Sequence, residues 1–401
     1  MGSLIAWLDS SADEQRRMRE IVALFGASEG RDELGLGQIR DAVSDALFPG
    51  TSTLHTRARY ALLVPWCFEL AAGARDPKRR LDELERALIG TLARSRDADG
   101  LMGATVGRAL KNLPSTVYWG ALERWGILSH AASRTEALEL SRPQRVVVHE
   151  DGDETISRTV WTTPSAPLGF PDDVHEGFAL TFAEARWLQE RLLESSPGSL
   201  LAHFATQRPT AESGTAWDEP TSATAPDRAR ALLTHAERFS TVMHGAQLLY
   251  NLLLAEDCEH HGVGPQELGG TPISDAYRND FTEWSQRIRE LALPPTWRLE
   301  DLLTAIEAEP GRPPSVAAST RRFVADWLRV IASVTPDQIP DSADARAVVA
   351  RRERIKGPKA RIGNPARLAT WGGAAGRDRL RYRWPVVRRI LTDIHDGLDR
   401  A

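Results

Sequence analysis

The stretch RARALLTHAERFSTVMHGAQLLYNLLLAE, residues 228–256, indicates what kind of fold the chain forms. Hydrophobic residues recur in it at helical spacing, and between Val242 and Leu254 they cover most sides of the predicted helix. Such a helix must be enclosed by other elements, because water would otherwise contact its hydrophobic surface. The stretch therefore predicts a long central helix in a mainly α, multi-helix, bundle-like fold.

Amphipathic helical patterns occupy much of the remaining chain. The predicted helices begin near residues 10 and 53 or cover about 36–47, 79–95, 104–112, 181–194, 272–292, 299–308 and 316–333. A last helix is opened by Pro385, because proline is favoured in the first turn of a helix. We find no internal repeat.

The segment LPSTVYWGALERWGIL, residues 113–128, resembles the second helix of a helix-turn-helix, with Gly126 as its stop. It is followed by RVVVHEDGDETISRTVWT, residues 145–162, where two β-rich runs flank Asp151-Gly152 and predict one small β-hairpin. Together they have the order of a winged helix-turn-helix near residues 90–162. The alternative is an ordinary helical hairpin. It is supported by the positions expected to be exposed, which carry no Arg, Asn or Gln to contact base edges.

Composition shifts divide the predicted chain into four segments. Residues 209–227 are rich in Thr, Ser, Pro and acidic residues and poor in aliphatic ones, so they predict a mobile loop. The segments are an N-terminal helical domain with the winged-helix unit and hairpin (1–162), a helix plus that loop (163–227), a central helical domain (228–345) and a basic C-terminal segment ending in an amphipathic helix (346–401).

Residue counts exclude several classes of protein. The two cysteines, Cys67 and Cys258, can form neither a four-cysteine zinc site nor a disulfide framework, and so few thiols suit a reducing compartment. None of the four lysines lies in a P-loop motif, so a P-loop nucleotidase is not expected. No run of 18 apolar residues occurs, and the first residues do not have the pattern of an export signal. We expect a cytoplasmic protein without a membrane span.

The charge of the chain is unevenly distributed. The net charge is −5, but residues 346–389 carry 14 Arg or Lys and only two acidic residues, a local net charge of +12. The other residues therefore carry −17. A strongly basic segment on an acidic body is typical of a chain that binds a polyanion.

The basic segment is the leading candidate site. Guanidinium groups pair with phosphate oxygens, and aromatic rings can stack on unpaired bases. We therefore predict a non-enzymatic nucleic-acid-binding or adaptor subunit that needs no cofactor or metal. The predicted contact residues are Arg351, Arg352, Arg354, Lys356, Lys359, Arg361, Arg377, Arg379, Arg381 and Arg383 for phosphate, and Trp371 and Tyr382 for stacking. The alternative is a structural scaffold whose basic arm docks on an acidic protein partner.

A second alternative is an enzyme of unrecognised type. The sequence HTRARY, residues 55–60, places polar groups beside an apolar helix, and His55, Arg57, Arg59 and Tyr60 are the residues that would act. The motif Gly26-Ala27-Ser28-Glu29-Gly30 matches the nucleophile elbow of hydrolases, but no predicted strand precedes it.

Two further clusters of polar residues have simpler interpretations. The run Asp257 to His261 contains five potential metal ligands, but adjacent helix residues point in different directions, so a polar helix end is favoured. His244, Gln247 and Asn251 share a stripe on the central helix. Because buried polar groups need partners, an internal hydrogen-bond network is favoured there over catalysis.

Four blocks of sequence resemble a known family. They are AWLD at 6–9, RDELGLGQIRDAVSDALFPGTSTLHTRARYALLVPW at 31–66, MHGAQLLYN at 243–251 and WGG with RYRWPVVRRIL between 371 and 391. These blocks are similar to an uncharacterised bacterial domain-of-unknown-function family numbered six-three-six-one, nearly end to end. The resemblance implies a location near helicase and anti-phage defence genes, and hence a helicase or another defence protein as partner. It assigns no catalytic residue.

Overall fold

The computed structural model describes residues 32–129, 132–142, 160–174, 176–293, 296–306 and 315–400. These residues form a mainly α structure, as predicted. The α-helices are α1 (Gly37–Leu47), α2 (Tyr60–Ala72), α3 (Pro77–Ala93), α4 (Pro114–Arg124), α5 (Arg134–Leu140), α6 (Phe182–Ser195), α7 (Leu200–Thr206), α8 (Asp227–His261), α9 (Ile273–Glu290), α10 (Leu299–Ile306), α11 (Ala318–Ser333), α12 (Ala343–Arg354), α13 (Pro365–Leu368) and α14 (Trp384–Leu398).

Within the described ranges, one small antiparallel hairpin forms, in which β1 (Glu267–Leu268) pairs with β2 (Thr271–Pro272). Gly269 and Gly270 form its turn, and both have positive φ, which glycine adopts without steric cost. The hairpin predicted at 145–162 lies mostly outside the described residues. Leu128 forms a β-bridge with Trp161, but the wing of a winged helix-turn-helix would fall in the same gap, so that unit stays a prediction.

The described residues group into two compact units, each built from segments distant in sequence. Unit 1 comprises residues 1–42 and 234–380, and unit 2 comprises residues 43–233 and 381–401. The four-segment division by composition has different boundaries, because composition does not record which distant segments pack together.

The core of unit 1 forms around α8, whose residues from Val242 to Leu254 are mostly buried, as the sequence pattern predicts. The indole N–H of Trp284 on α9 donates to the Thr241 carbonyl, and that of Trp327 on α11 donates to the Val242 carbonyl, both at 2.8 Å. A Cβ at Gly245 would lie 2.4 Å from the Trp284 ring. Glycine at this position therefore allows α9 to approach α8 closely.

The core of unit 2 forms around α2, which is buried along nearly its whole length. The sequence pattern predicts that Pro65 kinks or divides this helix, and in the structure Pro65 lies inside α2 without dividing it. The helix predicted at 104–112 is wrong, since only a 3₁₀ turn, Gly107–Ala109, forms there. Its glycines at 103 and 107 have positive φ, a conformation outside the helical range.

Residues 209–227, predicted as a mobile loop, are packed within unit 2. The Glu219 side chain is buried and accepts hydrogen bonds from the backbone N–H and the hydroxyl of Thr210, both at 2.9 Å. The Ser222 hydroxyl donates to the Ala216 carbonyl at 2.6 Å. Local hydrogen bonds between polar side chains thus order a segment that has too few aliphatic residues to form an apolar core.

Glu85 of α3 is a buried carboxyl group whose ionisation affects stability. Its two oxygens accept from the backbone N–H of Ser115 at 2.7 Å and from the Ser115 hydroxyl at 2.9 Å. Burial raises the pKa of Glu85 to about 7, although the Ser115 hydrogen bonds oppose the shift. The folded chain therefore holds a proton on Glu85 at pH values where the unfolded chain has released it.

We expect the free energy of unfolding to fall as pH rises from 5 to 8, because the folded-state pKa of Glu85 lies above its unfolded value. The loss is up to about 3 kcal/mol, and Glu85→Gln should remove this part of the pH dependence while keeping the contacts to Ser115. Urea unfolding at both pH values measures it. Glu83→Gln, on the exposed side of the same helix, is the control. An equal pH dependence in wild type and Glu85→Gln would contradict the assignment.

Candidate nucleic-acid interface

Within unit 1 the basic segment runs from α12 through a 3₁₀ turn (Gly357–Lys359) to α13. The side chains of Ser342 and Asn364 cap α12 and α13, each accepting a hydrogen bond from a backbone N–H of the first turn. Gly357 and Gly363 have φ of +58° and +72° and let the chain turn between the two helices. We call residues 354–367 the basic loop.

Two of its basic residues, Lys356 and Arg361, point into unit 1 and share the carboxylate of Glu33 at 2.8 and 2.7 Å. Both also hydrogen-bond the Tyr250 hydroxyl. Burial alone would raise the pKa of Glu33, but the hydrogen bonds and charges of these two cations hold the pKa below its usual value. The fully buried carboxylate of Glu353 adds an ion pair to Lys356 at 2.5 Å and accepts the backbone N–H of Arg361 at 2.6 Å.

Arg352 and Arg377 are also engaged within unit 1. Arg352 donates to the Leu34 and Gly35 carbonyls and lies over the Phe323 ring. Arg377 forms a two-point contact with the Asp280 carboxylate at 2.7 Å. These guanidinium groups stabilise the fold, because their donors are already used by the chain itself.

Other members of the basic loop are exposed. Arg354, Lys359 and Arg367 are exposed and have no carboxylate partner among the described residues. Arg351, at the start of this surface, is 60% exposed and lies 3.3 Å from Asp326. We call the side chains of Arg354, Lys359 and Arg367 the exposed triad. Arg367 is absent from the predicted set. A sequence signal for it exists, because Asn364-Pro365 is typical of the start of a helix and Arg367 lies in that first turn.

The two predicted stacking residues are core residues. Trp371 is 2% exposed and packs beside Tyr277, and Tyr382 is 1% exposed and contacts Trp217. A buried ring has no free face on which a base can stack.

The remaining predicted residues are distributed over both units. Arg379 belongs to unit 1, whereas Arg381, Tyr382 and Arg383 belong to unit 2, and all four have interactions within the chain. The Arg383 guanidinium donates to the Asp45 carboxylate and to the Thr51 carbonyl at 2.6 Å. The structure thus brings the residues of the basic loop together. The arginines that follow in the sequence contact other parts of the chain.

The polar stripe on α8 forms hydrogen bonds with the segment that crosses it. His244 donates to the Arg377 carbonyl through Nε2, and Asn251 donates to the carbonyls of Gln247 and Ala375. Burial, together with the positive charges of nearby arginines, lowers the pKa of His244 to about 3, so the ring is neutral. The stripe holds residues 375–377 against the helix.

The HTRARY residues form a buried hub in unit 2. His55 accepts the Ser52 N–H through Nδ1, so Nε2 carries the hydrogen and donates to the Val117 carbonyl. Burial lowers the pKa of His55 to about 4. Arg57 contacts Asp97 and Asp393, Arg59 donates to Glu184 and the Gly177 carbonyl, and the Tyr60 hydroxyl accepts the Met102 N–H. Each group has a structural partner.

The run from Asp257 to His261 at the end of α8 gives no metal site among the described residues. Glu259 accepts from Ser274, and Asp257 accepts the Gly363 N–H. No three or more His, Cys, Asp or Glu side chains gather to hold a metal ion in the described part of the chain. The Gly26–Gly30 motif lies outside the described residues. Within those residues, no helix has the length and apolar character that crossing a membrane requires.

The fold and the exposed triad define a mainly helical protein with a basic surface on unit 1. The model of the family described as "Family of unknown function (DUF6361)" matches residues 2–397, and the chain belongs to this family. The family predicted from the four sequence blocks is therefore confirmed. No curated protein and no solved structure gives a significant match.

Proposed function

We propose that this protein is a non-enzymatic nucleic-acid-binding subunit of a bacterial defence or DNA-processing assembly in the cytoplasm. The basic loop contacts the phosphate backbone through the exposed triad. The observation that supports this function is that Arg354, Lys359 and Arg367 are exposed on one loop and have no carboxylate partner in the part of the chain that the structure describes, while neighbouring cations are paired.

The number of free cations sets the strength of binding. If six to ten residues of the basic segment contacted phosphate, affinity would fall by roughly a thousandfold or more on going from low to moderate salt. The exposed triad supplies three, so the logarithmic salt slope for duplex DNA is about −2.7, or about 40-fold between 50 and 200 mM salt. Binding of this size suits a subunit that other members of an assembly assist.

Charge reversal of the triad tests the function. We expect the variant Arg354→Glu/Lys359→Glu/Arg367→Glu to lose salt-dependent binding to labelled duplex and single-stranded oligonucleotides, measured by fluorescence anisotropy between 50 and 200 mM salt. The matched control reverses three exposed basic residues of unit 2, Arg75, Lys78 and Lys111, and so changes the net charge equally. Equal affinities of the two variants would rule out the basic loop as the interface.

A pull-down of the untagged native complex at low and high salt separates this function from the scaffold alternative. Recovery of nucleic acid that is released by salt supports the proposal. Recovery of an acidic protein without nucleic acid would assign the basic loop to protein docking.

A further inference from the structure

An apolar groove of about 550 Å³ lies on unit 1, between the end of α9, α10 and α11. Its volume is in the range of ligand and peptide sites rather than of packing defects. Its apolar lining includes Leu293, Trp297, Leu299, Leu328 and Ile331.

Helix α11 has apolar residues on two faces. Phe323, Val324 and Trp327 are buried in the core of unit 1. Leu328 and Ile331 face the groove instead and are only half-buried. A helix that only covers a core needs one apolar face, so the second face indicates an interaction surface.

The rim of the groove is positively charged. Of the lining residues that the structure describes, four are arginines, Arg289, Arg298, Arg321 and Arg329, and one is a carboxylate, Glu300. Three of them also contact carboxylates: Arg289 contacts Asp337, Arg321 contacts Glu300 and Arg329 contacts Asp326. Ion pairs between exposed side chains are worth about 0–1 kcal/mol, and the Arg329 side chain is 75% exposed. Arg298 is exposed and has no carboxylate partner in the described part of the chain.

The lining chemistry favours a protein segment over a nucleic acid. Among the described residues, no Ser, Thr, Asn or Gln lines the groove, so this lining lacks the amide and hydroxyl groups that commonly contact base edges. Aliphatic walls with cationic rims match an amphipathic helix with carboxylates beside its apolar face.

We propose that this groove binds an amphipathic helical segment of a partner protein, with aliphatic residues at positions i, i+3 or i+4, and i+7, flanked by Asp or Glu. The partner's aliphatic side chains occupy the space beside Leu328 and Ile331, and its carboxylates pair with Arg298 and Arg329. The groove would thus give the protein an adaptor role that does not require nucleic acid to bind at the basic loop.

Selection from a displayed library of random helical peptides on the full chain tests the groove. We expect enriched peptides to carry the spaced aliphatic residues and an excess of Asp and Glu. A synthetic peptide of the leading sequence should bind wild type at least tenfold more tightly than Leu328→Glu, and tenfold more tightly than Arg298→Glu/Arg329→Glu, in fluorescence anisotropy.

Two matched variants make the result specific. Arg322→Glu changes an exposed arginine of α11 that does not line the groove, and it should leave peptide affinity unchanged. The charge-reversed triad should also leave it unchanged, so failure of the nucleic-acid proposal can be recognised separately. The inference would be overturned if the selection enriched no motif or enriched basic motifs. It would also be overturned if the selected peptides bound all variants equally. If no peptide is enriched, direct binding of laurate or of a labelled oligonucleotide that Leu328→Glu abolishes would assign a different occupant to the groove and overturn the inference.

Discussion

Arg57→Met should lower the free energy of unfolding by about 3–5 kcal/mol, roughly a hundred- to a few-thousand-fold in the unfolding equilibrium. The Arg57 side chain is 6% exposed, and its Nε donates to the Asp393 carboxylate at 2.9 Å while its Nη atoms hold Asp97. Burial raises the pKa of Asp393 even with Arg57 in place. Removing the guanidinium therefore leaves a buried carboxylate with little compensation.

A double variant separates this cause from a simple loss of packing. Arg57→Met/Asp393→Asn removes the charge that Arg57 balances, so urea unfolding should show recovery of a substantial part of the lost stability. Arg96→Met, at a 76% exposed arginine of the same unit, should change stability by less than about 0.5 kcal/mol. If Arg57→Met lowered the free energy of unfolding by less than about 1 kcal/mol, the buried hub around Arg57 would contribute little to stability.

Helices were the part of the fold that the sequence could predict. The hydrophobic periods of α8, α9, α10, α11 and α14 are local signals, and these helices begin and end within about five residues of the predicted positions. No helix is predicted from the sequence at α12 or α13. The hairpin at 267–272 was missed because each strand has two residues, too few for an alternating pattern, although Gly269-Gly270 is a known hairpin turn.

Pairing of charges was the part that the sequence could not predict. Glu33 accepts from Arg361, which is 328 positions away, and Asp393 accepts from Arg57, which is 336 positions away. A local net charge of +12 counts cations but does not show which of them are balanced by distant carboxylates. The candidate interface therefore reduces from ten basic residues to the exposed triad, which contains two of them, Arg354 and Lys359, together with Arg367.

Substitution of Trp371 is the second change for which we expect a large loss of stability. Its variants also distinguish a core residue from a residue that stacks on bases. Truncation of a buried tryptophan costs about 3–5 kcal/mol, so Trp371→Ala should strongly destabilise unit 1 in urea unfolding. Trp371→Phe keeps most of the ring beside Tyr277 and loses no hydrogen bond, since the indole N–H has no partner among the described residues. This variant should remain folded.

The affinities of Trp371→Phe and Trp371→Ala for an oligonucleotide, measured below the unfolding transition, then show whether the ring stacks on bases or only packs in the core. Because the ring is buried, we expect affinities within twofold of wild type for the variants that remain folded. A stacking platform would instead lose about 1–3 kcal/mol per base when truncated to alanine, a change of roughly five- to more than a hundredfold. A loss of that size in folded Trp371→Ala, with an unchanged salt slope, would mean that the segment around Trp371 opens to bind bases. The exposed triad would then be only one part of the interface.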